Sequence, residues 1–106
     1  MKVALLNTSI ITNDGDYSLR SISLKEAKEM VQIAELDSAI GHQSTADIMS
    51  TLLEVEVVVN RQMFSQQIEQ KALVFKLNGR PEEGKILSKD EIEDIGYTWK
   101  VLARTK

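Results

Sequence analysis

The chain has 106 residues, 42% hydrophobic and 27% charged, the makeup of one domain with a single core spanning 1–106. A formal net charge of −3 argues against a general nucleic-acid coat, and the lack of cysteine excludes disulfides and thiolate metal sites. A strand-like segment starts at Lys2, leaving no room for a signal peptide, and no apolar run nears the roughly 20 residues of a membrane helix; a cytoplasmic protein without membrane contact is expected.

"KVALLNTSI" is continuously apolar from Val3 to Leu6, as in a strand buried on both faces, and ends in the polar set Asn7, Thr8, Ser9. "TNDGD" reads as a turn and "YSLRSIS" as a second strand. Ser23, with Glu26 three residues on, forms a capping box for a helix whose apolar side carries Leu24, Ala27, Met30 or Val31, and Ala34. "LDSAIG" is then an extended link, and a second helix begins at Ser44 or Thr45 and ends near Glu54. "VEVVVN" reads as a short β-branched strand and "KALVFKL" as a central one. "NGRPEEGK" is a loop, Ser88 and Glu91 box a third helix running to about Ile95, and "YTWKVLAR" closes the chain as a strand. Interleaved strands and helices without repeat or linker imply an α/β domain: one mixed five-stranded sheet with about three helices on one face. If the other face is bare, a homodimer would cover it. Met30, Met49 and Met63 read as core residues, and Phe75 and Trp99 as packing aromatics.

The single histidine lies in "SAIGHQSTADIM", at the start of the second helix. Helix-start N–H groups lack partners and, with the helix dipole, favour an anion. His42 beside a bound phosphate can exchange a proton near neutral pH, and Gly41 lets the backbone approach a ligand or adopt a conformation closed to other residues. An exposed turn histidine with a turn-shaping glycine is the plain alternative. A metal site is disfavoured because only carboxylates could join one histidine. Asn60 with Arg61, and Asn78 with Arg80, follow apolar segments, where loops of α/β sheets build ligand clefts. Arginine suits phosphate because its fork donates two bonds and keeps its charge; the alternative for each is a solvated surface charge. Glu82 and Glu83 are adjacent and point apart, so they do not form an acid–base pair. Asp90, Glu91, Glu93 and Asp94 complement a helix dipole and are not a metal box.

Together "MKVALLNTSI", "SAIGHQST", "VNRQMF" and "NGRPEEGKILSKDEIEDIG" resemble the viral ring-nuclease family of type III anti-CRISPR proteins, over nearly the whole chain. The resemblance implies a homodimer of five-stranded α/β protomers that binds cyclic tetra-adenylate and cuts it without metal or other cofactor. It further implies His42 as the acid protonating the departing 5′-oxygen and Glu83 as its catalytic support. Arg61 and Arg80 are then the phosphate grips, with Asn7, Gly41, Ser44, Thr45 and Lys76 lining the substrate site. The rival from another class is a dimeric DNA- or RNA-binding protein with the same basic groove and no chemistry.

Overall fold

The computed structural model describes residues 2–79 and 87–106. In chain order it contains β1 (Lys2–Leu6), β2 (Tyr17–Ile22), α1 (Leu24–Gln32), β3 (Glu35–Ser38), α2 (Gln43–Leu53), β4 (Lys71–Leu77), α3 (Lys89–Ile95) and β5 (Tyr97–Arg104). The strands form one mixed sheet in the order β2-β5-β4-β1-β3. β1 runs parallel to both β3 and β4, while β5 is antiparallel to β4 and β2. The carboxyl ends of β1, β3 and β4 therefore meet along one edge.

The three helices cover one face. Ala27 and Val31 of α1, Ala46, Met49, Leu52 and Leu53 of α2, and Ile92 of α3 pack in one cluster with Val3, Leu5, Leu73, Phe75 and Trp99 of the sheet. Alternation along each strand sends every second side chain to this face, and the intervening Ala4, Leu6, Ala72, Val74 and Leu102 to the other. That second face is not bare. The chain around Phe64 and Gln66 folds under it, burying Phe64 against those residues and Gln66 at 2% exposure, while Val55 and Val57 pack on the helix side. Gln66 Nε2 donates to Leu102 O (2.8 Å) and Gln70 O (2.7 Å), tying the segment to the strand ends.

Both serine capping boxes form: Ser23 with Glu26 opens α1 and Ser88 with Glu91 opens α3. Elsewhere the chain departs from the sequence reading. α1 stops at Gln32 instead of reaching Ala34, because Glu35–Ser38 must turn back beside β1 as β3. "ELDS" has no strand propensity; its pairing is dictated by β1, with Val3 opposite Leu36 and Leu5 opposite Ser38. Conversely "VEVVVN" is not a strand. Its backbone bonds go to other groups: Val57 N donates to Ser50 Oγ (2.9 Å), Val58 O accepts from Ser38 Oγ (2.6 Å), and Asn60 N donates to Ile40 O (2.9 Å). Five strands result, but β3 replaces 55–60 among them. Met63 is fully exposed rather than in the core, whereas Met49 is buried and Met30 half-buried. No helix among the described residues is long and apolar enough to cross a membrane.

Phe75, Tyr97 and Trp99 stack at the β4–β5 junction, with ring centroids 4.7–6.2 Å apart. Tyr97 Oη donates to Glu93 Oε1 (2.9 Å); burial first, then that bond and the carboxylate charge, push the phenol up to about 12.

Candidate functional site

Two of the three helices start with a side-chain cap; α2 does not. Its N-cap residue is His42, in extended conformation and making no side-chain cap bond. The first amide bonded within the helix is that of Ala46, donating to His42 O (3.1 Å). The N–H groups of Gln43, Ser44 and Thr45 thus open toward the carboxyl edge of the sheet without a cap. Such an arrangement attracts anions, since unpaired N–H groups and the helix dipole act in the same direction.

In front of this helix end lies a concavity of about 220 Å³ lined by Asn7, Ser44, Thr45, Ile48, Lys76 and Gly79, with Phe75 and Leu77 as apolar wall. Asn7 comes from the end of β1, Lys76 from the end of β4, and the two hydroxyls from the first turn of α2. A second concavity, about 270 Å³, shares Asn7 and Lys76. A roomier one of about 540 Å³ opens beside Met63 and Ile68 of segment 55–70, but its charged lining mixes Lys2 with Asp37 and Glu69. An anion is better matched by the cleft at the helix start, where no carboxylate lines the wall among the described residues.

His42 is exposed and stands just before this lining, at the helix cap. Its ring makes no hydrogen bond among the described residues and is available to a ligand. Arg61 belongs to the same place by a route the sequence did not reveal. It does not follow a strand; it sits in irregular chain and donates from Nε to Gly41 O (2.8 Å), leaving its terminal nitrogens unpaired among the described residues. Gly41 has no positive φ, and a Cβ placed there would lie 3.5 Å from Arg61 Cγ, an ordinary contact. Neither backbone strain nor a close approach therefore requires a glycine here. Arg80 and Glu83 lie outside the described residues, as do Glu82 and Pro81.

Ser38 and Gln62, missed in the sequence, and Asn60, read there as part of a ligand cleft beside Arg61, hold the histidine turn. Asn60 Nδ2 and Gln62 Nε2 both donate to Ser38 O, at 2.9 and 2.6 Å, and Gln62 Nε2 also reaches Asp37 Oδ1 at 3.1 Å. Ser38, 7% exposed, bridges the two segments: its Oγ donates to Val58 O and accepts from Ile40 N (3.2 Å). Segment 58–62 is thus laced to 37–41, immediately before His42. Apart from Ile40, these partners lie 20–25 positions apart, so no local pattern announces them. Among the described residues no group of three or more His, Asp or Glu is placed to hold a metal ion.

An α/β sheet carrying an uncapped helix start, a lone histidine and an anchored arginine at its carboxyl edge defines a small domain suited to an anionic ligand. The chain belongs to the STIV B116-like family, whose profile matches residues 3–99. It is 33% identical over 106 residues to the Bacillus subtilis protein YddF, covering 98% of each chain. It is also 33% identical over 99 residues to ORF117 of Acidianus two-tailed virus, covering 88% of this chain and 85% of that one. In architecture it is similar to B116 of Sulfolobus turreted icosahedral virus, with a TM-score of 0.86 over 97% of this chain and 99% of the other, at 23% identity.

Proposed function

We propose that this protein is a metal-independent ring nuclease that binds cyclic tetra-adenylate and cleaves it to short linear adenylates with 2′,3′-cyclic phosphate ends, switching off type III CRISPR signalling. In this reaction a ribose 2′-hydroxyl loses its proton to solvent and attacks the adjacent phosphorus. The P–O5′ bond breaks, and the departing 5′-oxygen takes a proton from His42. Catalysis of this kind needs an aligned nucleophile, neutralised nonbridging oxygens and an acid for the leaving alkoxide. The amides of α2 and the Arg61 guanidinium supply the second requirement and His42 the third. Arg80 and Glu83 complete the assignment, as grip and support, by the motif they share with the ring-nuclease family. The working unit is a homodimer, because a ring with repeated symmetry presents equivalent phosphates to two identical sites.

The observation that carries this reading is the uncapped start of α2 with His42 as its cap residue and Arg61 bonded to the preceding carbonyl. Incubation with cyclic tri-, tetra- and hexa-adenylate in EDTA, with products resolved by chromatography, tests it. Cleavage of the tetramer with cyclic phosphate ends is expected. His42→Ala should retain binding and lose turnover by about 10²–10⁴-fold, the usual effect of a missing acid–base group. Undiminished cleavage in that variant removes the acid assignment, and activity that depends on added magnesium removes the metal-free mechanism. Tight binding of duplex DNA or RNA with no ring cleavage would establish the rival binding-protein reading.

A further inference from the structure

The second concavity lies on the opposite face of the sheet from the helices. Its floor is Val74 and its rim carries Lys76, Thr98 and Lys100, with Thr8 and Ser9 of the chain leaving β1. The β4–β5 register explains the grouping. Lys76 faces Thr98 and Val74 faces Lys100, so the two lysines are diagonal neighbours on one face, about 7–8 Å apart. Two cations so placed repel one another, and an acidic partner would relieve them. Among the described residues none is provided: the ion pairs are Arg20–Glu26 and Lys28–Glu54, and no described carboxylate lines either this concavity or the one at the start of α2. In a chain of net charge −3, the described lining of both concavities carries lysine as its only charged residue type. Lys76 and Asn7 line both concavities, so one ligand can pass from the helix face, over the end of β4, to the opposite face.

We propose that Lys76 and Lys100, with the Thr98 and Thr8 hydroxyls, form a second phosphate subsite that holds a phosphodiester neighbouring the one cleaved. The proposal rests on the ring-nuclease reading for the identity of the ligand, though not for the subsite's chemistry. Two lysine charges converge on one phosphodiester there, and the hydroxyl donors complement them. The subsite discriminates by phosphate number: a cyclic or linear oligonucleotide engages both concavities, whereas a dinucleoside monophosphate engages one.

The test measures binding to the His42→Ala protein, which leaves ligands intact, over a series of potassium chloride concentrations. Adding Lys100→Gln should weaken cyclic tetra-adenylate about tenfold and make the plot of log affinity against log salt shallower by about 0.7, the single-strand value for one phosphate. Binding of linear ApA, with its one phosphate, should be unaltered, and Lys100→Arg should restore the ring. Thr98→Glu, an exposed position, should weaken the ring likewise by repulsion. Ring affinity and salt slope unchanged in both Lys100→Gln and Thr98→Glu would overturn the subsite. If the ring does not bind at all but inorganic tripolyphosphate binds in a Lys100-dependent way, the subsite stands and the ring-nuclease reading falls.

Discussion

At the residue scale, the site depends on side chains whose only visible task is to hold backbone. Asn60 and Gln62 both donate to Ser38 O, and Arg61 donates to Gly41 O, so three consecutive residues grip the five before the histidine. An anion site at a helix start needs its cap residue in place, because a misplacement of about 1 Å can cost a hundredfold in rate. Asn60→Ala should therefore lower unfolding stability by about 0.5–1.5 kcal/mol, the net value of one hydrogen bond. It should lower single-turnover cleavage by a larger factor than ring affinity. Urea unfolding and rapid-quench kinetics check the two parts separately, and an unaltered single-turnover rate would show that Gln62 and Ser38 hold the turn unaided. His42 and Arg61 were recognisable in the sequence, as a singular residue type and as a cation of phosphate-binding chemistry. Ser38 and Gln62 were not, and Asn60 was read as part of a ligand cleft instead of a bridge, since their work is a contact between segments brought together by folding.

At the scale of elements, the three helix starts differ in their capping. Ser23 and Ser88 cap α1 and α3 through both halves of the capping box, satisfying N–H groups that would otherwise face water. α2 has His42 in that place and no cap bond. Its amides remain open at the cleft while the helix is held by the burial of Ala46, Met49, Leu52 and Leu53. Ser23→Ala should lower stability by about 1 kcal/mol, measured by thermal or urea unfolding, without altering ring cleavage. Replacing the α2 cap with serine, His42→Ser, removes the acid from the same position. The exchange between "ELDS" and "VEVVVN" is instructive here. β-Branched residues favour strands through what they pack against, and the polar groups of 55–60 are taken up by Ser50, Ser38 and Ile40 instead of a strand ladder. "ELDS" becomes β3 because the edge of β1 is open and the crossover through α2 starts there.

At the scale of the whole molecule, one sheet face is closed by helices and the other is partly closed by the chain around Phe64 and Gln66. What stays open is the basic cleft along the sheet edge and a set of exposed apolar side chains on segment 55–70. Val58 is 51% exposed and Met63 100% exposed, and they flank the Arg61 anchor. A two-fold ligand engaging two copies requires sites close enough to share it, so the proposed dimer must form near this edge. Sedimentation equilibrium should give a particle of about twice the 11.9 kDa chain mass at concentrations where cleavage is seen. A monomer under those conditions would remove the two-fold account of the site.

The sequence by itself determined which segments alternate between helix and sheet, where two helices begin, and that a single histidine stands at the start of a helix. These properties are local: hydrophobic period, capping pairs and residue chemistry are written within a few positions of one another. The tertiary structure decided the rest. It chose β3 over 55–60 by offering one an open edge, moved Met63 from an expected core to solvent, and carried Arg61 to the carbonyl before His42. Each of these depends on segments distant in the chain meeting in space, through hydrogen bonds and contacts that no window of neighbouring residues contains.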